Sequence, residues 1–231
     1  PHPGVRVGSH FREASMKTIR LLLADDHEVL REGLRVLLEQ EPDLEVVGEV
    51  GDGRSAVGLA RELAPHVVVM DIGMPDLNGV EATRQILSEG KGTRVLCLSV
   101  HREGSVVGAM LEAGAHGYVL KTSAGRELVE AVRAVAAGDS FLSPAVASYV
   151  LSQHVRGEGG EASGAFGDLT PREREVLQLI AEGHHSKGAA RHLGITSKTV
   201  LAHRENIMKK LDIDSVPGLV RYALREGISE L

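Results

Sequence analysis

The sequence predicts an α/β domain with a doubly wound, five-stranded parallel sheet, followed by a small all-α domain of four helices. Three observations carry that prediction. From residue 18 to about 137, apolar runs alternate five times with segments of helical period, the pattern of successive βα units. A stretch rich in glycine, serine and charge, "RGEGGEASGAFGD", then interrupts all periodicity. Beyond it helical spacing returns without strand-like runs, and "LTPRERE" carries a helix-start signature.

The expected strands are "IRLLL", "LEVVGEV", "HVVVMD", "RVLCLSV" and "GYVL". Between the first two, Val29, Leu30, Gly33, Leu34, Leu37 and Leu38 recur at helical spacing, and Leu128, Val129, Val132, Val135 and Ala136 do so after the last. Each helix therefore has an apolar face to lay on a sheet. Right-handed crossovers bring the carboxyl ends of parallel strands to one edge, where open α/β sheets bind ligands.

In the second unit Thr170 is placed as N-cap, Pro171 at the first helical position and Glu173 two further on, which makes a capping box. Three more helices are expected near 187–193, 197–211 and 216–226. The break "LGITS", with Gly194 at the bend, gives a helix-turn-helix form. "AVASYVLSQHV" reads as a short helix ahead of the glycine-rich stretch. The expected division is a leader at 1–15, an α/β domain at 16–138, a linker with a short helix at 139–168 and a helical domain at 169–231.

A chain of 231 residues has room for two ordinary domains. No apolar run approaches the ~20 residues that span a bilayer, so a membrane location is not expected. The leader "PHPGVRVGSHFREAS" has no apolar centre and begins at Pro1, so it reads as a tag remnant or extension, with Met16 as a native start. The single cysteine, Cys97, lies in an apolar run, where it is expected to be a core residue of a protein from a reducing cytoplasm. Net charge is −6 and unevenly spread: residues 187–210 hold six basic side chains against one acid, Glu205. An acidic front half is thus joined to a locally basic back half.

The decapeptide "LLLADDHEVL" places Asp25 and Asp26 at the end of a buried strand, where two carboxylates need a positive neighbour. Asp71 ends "HVVVMD", Ser99 ends "RVLCLS" and Lys121 follows "GYVL", so a parallel sheet would gather all five side chains at one edge. Three acids against one lysine leave excess negative charge that a hard divalent cation, Mg²⁺ first among them, would offset. A cation beside a carboxylate suits phosphoryl transfer, with Asp71 as the nucleophile that carries an acyl phosphate.

"LLLADDHEVLREGL", "VVVMDIGMPDLNGVEATRQI", "VLCLSV" and "GAHGYVLKTS", in this order and spacing, resemble the flavodoxin-like receiver domain of two-component response regulators. The resemblance implies that Asp71 is the phosphoacceptor and that Asp26 binds the metal directly. It gives Asp25 a role mainly through water, and makes the Gly73 carbonyl a further ligand. Lys121 and Ser99 would contact the phosphoryl oxygens, and Tyr118 would change rotamer on activation as Ser99 moves inward and vacates space. Pro75 and Gly79 have structural explanations, in the turn after the strand and the entry to the next helix.

On a helical wheel of residues 197–211, Val200, Ile207 and Leu211 share an inward side with His203 and Arg204 beside them, while Lys198, Ala202, Glu205 and Lys209 point outward. Such a thin, partly basic face on the second helix of a helix-turn-helix fits the DNA major groove. "LTPREREVLQLIAEGHHSKGAARHLGITSKTVLAHRENIMKKL" is similar throughout to the DNA-binding domain of LuxR-type regulators, which are the NarL/FixJ class of response regulators when joined to a receiver. By that resemblance Leu201, Ala202 and Glu205 approach bases, with Lys198, Thr199, Lys209 and Lys210 near phosphates; Lys187 and Arg204 complete the basic set. The chain departs from the family pattern at Gly188 and Ala189 in the scaffold helix, and at Leu201, where a basic residue is common. The pair His184–His185 raises the question of zinc. Adjacent histidines diverge on most backbones and the only cysteine is far away in sequence, so no zinc site is expected from the pair.

The reading is a cytoplasmic transcriptional regulator that takes phosphate on Asp71 from a sensor histidine kinase, dimerises and binds double-stranded DNA, with turnover limited to its own acyl phosphate. Two alternatives stand beside it. One is a regulator of the same architecture controlled by a ligand or partner without phosphate. The other is an aspartyl-nucleophile phosphatase, although the chain devotes no insertion to a substrate pocket.

Overall fold

The computed structural model describes residues 18–102, 104–155 and 165–229. The expected leader and residues 156–164 of the glycine-rich stretch lie outside the described residues. The sheet strands are β1 (Ile19–Ala24), β2 (Leu44–Val50), β3 (Val67–Met70), β4 (Arg94–Ser99), β5 (Gly117–Leu120) and β6 (Phe141–Leu142). All pairings are parallel, in the order β2-β1-β3-β4-β5-β6. The expectation of five strands is therefore corrected to six. Strand β6 holds only two residues, joined to Gly117 and Tyr118 of β5, too short for any alternation to reveal it.

Helices α1 (Glu28–Glu39), α2 (Gly53–Leu63), α3 (Gly79–Ser88), α4 (Gly104–Glu112) and α5 (Ala124–Ala137) link the strands, and a single 3₁₀ turn, Lys121–Ser123, leads from β5 into α5. The pleat divides β1 between two cores. Leu21 and Leu23 meet Leu34 and Leu38 of α1 and Leu128, Val132 and Val135 of α5, whereas Leu22 and Ala24 face Ala56, Ala60 and Ile86 on the opposite side. Both faces are covered, which is why the strands read as continuous apolar runs. Helix α6 (Pro144–Val155) packs on this sheet beside β5 and α4, and the glycine-rich stretch ends in a helical turn, α7 (Ala165–Asp168).

The helical unit comprises α8 (Pro171–Ala181), α9 (Ser186–Leu193), α10 (Ser197–Leu211) and α11 (Val216–Arg225). Helix α8 starts on the expected capping box: the Thr170 hydroxyl accepts from the Glu173 N–H at 3.3 Å, and the Glu173 carboxylate accepts from the Thr170 N–H at 2.9 Å. Gly194 takes the left-handed conformation, φ 63°, that ends α9 and turns the chain into α10. Lys210 reaches back from α10 to the Glu173 carboxylate at 2.7 Å. Burial pushes Glu173 upward, but Lys210 and the two Thr170 bonds outweigh it and hold the carboxyl below its ordinary value. Thr170→Ala is expected to cost about 1 kcal/mol in denaturant unfolding of the full chain.

The two units are docked. Eight consecutive residues of α8, Glu173 to Ile180, are buried, so the helix is covered all round. Its own domain covers the apolar side. The α/β domain covers the polar side: Arg174 Nε meets the Glu81 carboxylate at 2.6 Å with both side chains almost fully buried, and Gln178 both accepts from the Asn78 N–H and donates to the Met74 carbonyl. Beside them the Glu182 carboxylate accepts from the Asp76 N–H, and Arg54 lies 3.3 Å from Glu175.

Candidate functional site

Asp71 follows β3, Asp25 and Asp26 follow β1, Ser99 is the last residue of β4 and Lys121 comes directly after β5. Strands β1 and β3 are neighbours where the strand order reverses, so their carboxyl ends open a crevice at the topological switch point. Lys121 supplies the positive charge. Its Nζ lies 2.7 Å from Asp71 Oδ2 and 2.8 Å from Asp25 Oδ2. Asp25 and Asp71 are buried, whereas Asp26 is a third exposed and holds the imidazole of His27 at 2.7 Å.

One ammonium does not balance this set. Burial pushes the Asp71 carboxyl up to about 6; Lys121 opposes that rise, and the Asp25 charge adds to it. Lys121 is itself held above its ordinary value, because Asp71 and Asp25 together outweigh the burial that would lower it. Asp25 Oδ2 faces the Lys121 ammonium at 2.8 Å, and a carboxylate oxygen with one partner retains acceptor capacity. Ligand oxygens of Asp25, Asp26 and Asp71, with one atom of His27, lie within 4.8 Å of one another. An acidic, oxygen-rich donor set with an under-paired buried carboxylate fits a hard divalent cation. Cys97 lies below in β4, fully buried, its thiol held well up by burial and by the Asp71 charge.

The surrounding loops are built tightly. Gly79 opens α3 against the phosphoacceptor candidate: a methyl there would fall 1.9 Å from the Asp71 carbonyl oxygen, so only glycine fits. Gly73 is buried in the loop between them. Ser99 is buried, with its hydroxyl accepting from the His101 N–H at 3.2 Å. Tyr118 sits inside, its hydroxyl donating to the His101 carbonyl at 3.0 Å.

On α10, Val200 and Ile207 are buried and Leu211 half-buried, with His203 and Arg204 partly covered as the wheel requires. Lys198, Thr199, Leu201, Ala202, Glu205 and Lys209 are exposed along one side, and docking leaves that side open; Lys187 on α9 is exposed too. Thr196 caps α10, its hydroxyl accepting from the Thr199 N–H at 3.2 Å. The Lys210 ammonium is paired with the Glu173 carboxylate at 2.7 Å and its side chain stays 40% exposed. Arg204 is half-buried, with its Nε inside.

Two such sites on one chain narrow the choice of family. Residues 21–133 match the response regulator receiver domain, and residues 168–223 match the bacterial regulatory proteins of the luxR family. The transcriptional regulatory protein LiaR of Bacillus subtilis (strain 168) is 43% identical over 210 residues, covering 91% of this chain and 99% of that one. The chain belongs to the LuxR-type response regulators. These are transcription regulators that join a receiver to a DNA-binding domain, and phosphorylation-dependent DNA binding fits both halves of this one. Among solved structures, the Salmonella typhimurium response regulator RcsB is 26% identical with a TM-score of 0.64 over 89% of this chain and 96% of that one. A structure of two RcsB dimers bound to two parallel DNAs is 27% identical, with a TM-score of 0.55 over 89% and 97%.

Sequence reasoning missed the residues by which this response regulator joins its two halves: Glu81, Arg174, Gln178 and Glu182. In sequence "PREREVLQLIA" looks like a helix with a solvated charged side. Nothing local distinguishes a charge facing water from one facing a second domain.

Proposed function

We propose that Asp71 accepts a phosphoryl group from a sensor histidine kinase, and that the resulting acyl phosphate favours the dimeric, DNA-binding form of the regulator. The observation that carries this is Lys121 Nζ set 2.7 and 2.8 Å from carboxylate oxygens of Asp71 and Asp25 at the switch-point edge of a receiver sheet. With its carboxyl at about 6, Asp71 is mostly ionised at neutral pH and available as the nucleophile. An Asp71 oxygen forms the new bond to phosphorus as the phosphorus–nitrogen bond of the kinase phosphohistidine breaks. The imidazole leaves with the electron pair. Lys121 and the Ser99 hydroxyl stand at the strand ends to meet the phosphoryl oxygens, and Tyr118 and the loop behind Ser99 take up the change in packing.

Mg²⁺, held by Asp26, Asp71 and the Gly73 carbonyl, with Asp25 acting through water, would supply charge neutralisation at the phosphoryl group. In DNA binding, Leu201, Ala202 and Glu205 face bases, and Lys198, Thr199, Lys209 and Lys187 serve phosphates. RcsB dimers on DNA support the dimeric step by likeness. The working divisions are a receiver at 16–138, a connecting stretch at 139–168 and a DNA-binding domain at 169–231, in a protein of the cytoplasm.

DNA footprinting with and without a beryllium fluoride complex, at several salt concentrations, tests this reading. Protection should tighten with the phosphate mimic, and the slope of log affinity against log salt should fall by about one for each of Lys198→Ala and Lys209→Ala. Affinity indifferent to the mimic would instead favour control by a ligand or partner without phosphate.

A further inference from the structure

We propose that the junction between receiver and DNA-binding domain is a zinc site formed by Asp76, His184 and His192. The histidine pair flagged in the sequence does not act as a pair. His185 precedes α9 and is exposed, while His184 turns to His192 eight residues on, their ring centroids 4.6 Å apart and tilted by 53°. Asp76, on the receiver loop five residues after Asp71, completes the set: its Oδ1 lies 3.2 Å from His192 Nδ1. One ligand atom from each of the three residues lies within 4.8 Å of the others.

Two imidazoles and a carboxylate are a borderline donor set that suits Zn²⁺ and not Mg²⁺. A tetrahedral zinc with bonds of about 2.0 Å separates its ligand atoms by roughly 3.3 Å, the spacing that Asp76 and His192 already have. His192 is exposed and His184 half-buried, so small side-chain rotations can close the remaining distance. Glu182 sits where a supporting carboxylate is needed. Its Oε2 is 3.8 Å from His184 Nε2, and it is fixed by the Asp76 N–H at 3.1 Å and by Gln178 Nε2 at 2.8 Å. The recorded partners of these two carboxylates are amide hydrogens and imidazoles, which leaves the negative charge of the pair for a cation to offset.

With one ligand on the receiver and two on the DNA-binding domain, bound zinc ties the domains in the docked arrangement. The test is competition of the full chain against a chromophoric zinc chelator with Mg²⁺ saturating, alongside small-angle scattering. One zinc per chain is expected, with the radius of gyration staying at its docked value. Asp76→Asn and His192→Ala should each weaken binding by about 100-fold or more, since even supporting residues cost up to that much. His185→Ala, outside the cluster, should leave it unchanged. No zinc uptake by the wild type would overturn the proposal. So would uptake that survives His192→Ala and disappears in His27→Ala, which would put the ion at the acidic edge of the sheet. The readout is zinc affinity, so it fails or succeeds independently of phosphate chemistry.

Discussion

Asp71→Asn should accept no acid-labile phosphate from acetyl phosphate with Mg²⁺ present, and its DNA affinity should no longer respond to that donor. The amide lacks the charge that makes the Asp71 oxygen a nucleophile, yet it keeps the size and position of the group between Ala24, Ile72 and Lys121. The same substitution should stabilise the metal-free protein. The folded Asp71 carboxyl sits at about 6 against an ordinary 3.8, so over that interval the folded state keeps a proton that the unfolded state releases. Stability therefore falls as pH rises from about 4 to about 6 and stays lower above, with a cost of up to about 3 kcal/mol. Asparagine has no such step. Its advantage over wild type in denaturant unfolding with chelator should grow by about 1 kcal/mol from about pH 5 to about pH 8. Labelling of the variant that equals wild type would remove Asp71 from the phosphoacceptor role. A constant stability difference across pH would mean that the charge is not strained by burial.

The electrostatic tension at Asp71 connects to the docking surface through very little chain. Asp71, Gly73, Met74, Asp76 and Asn78 form one loop into α3. Gly79 presses that loop against the Asp71 backbone. Met74, Asp76 and Asn78 are the residues whose backbone groups bond Gln178 and Glu182. A phosphoryl group on Asp71, or a ligand bond from the Gly73 carbonyl, would move atoms one to seven residues from contacts that hold the DNA-binding domain.

The sheet edge was readable in the sequence because strand ends are set by short-range signals. Asp71 after "VVVM" and Lys121 after "GYVL" needed only the apolar runs before them. The capping box at Thr170 was equally local. What escaped reading depended on partners far along the chain. Strand β6 exists because Phe141 and Leu142 find the free edge of β5, and two residues carry no period. The bond from Lys210 to Glu173, 37 residues earlier, has no local signal either. Arg174 and Glu81 are 93 residues apart, and each sits in a helix whose pattern allows it to face water. Long-range polar pairing of this kind leaves no trace in periodicity.

Glu81→Ala and Arg174→Ala should each open the docked interface and raise DNA affinity without phosphate, while the double replacement Glu81→Met with Arg174→Met should restore docking. The pair is 2.6 Å apart, with side chains 2% and 3% exposed, and Arg174 also donates to the Leu169 carbonyl. Removing Glu81 leaves a buried guanidinium without its carboxylate, and removing Arg174 leaves buried Glu81 with only Arg84 at 3.6 Å, a penalty of up to about 3–5 kcal/mol, whereas replacing both by apolar groups is often neutral or better. In a single domain such a penalty would lower the melting temperature. Here the two halves are separate units joined by chain, so the stranded charge reaches water by undocking. The loss should therefore appear as domain separation, visible as an increased radius of gyration in small-angle scattering. A bias of ~3 kcal/mol shifts the docking equilibrium by roughly 100-fold, so apparent DNA affinity rises by the factor that docking had withheld, up to that limit. The double-mutant cycle separates the pair from the interface at large. If Glu81→Ala scatters like wild type while unfolding at lower denaturant, the ion pair serves the fold of one domain and docking is held by the Gln178 and Glu182 bonds instead. If it separates the domains with DNA affinity unchanged, then docking does not restrain α10, whose outward side is already exposed, and control must act on the pairing of two chains.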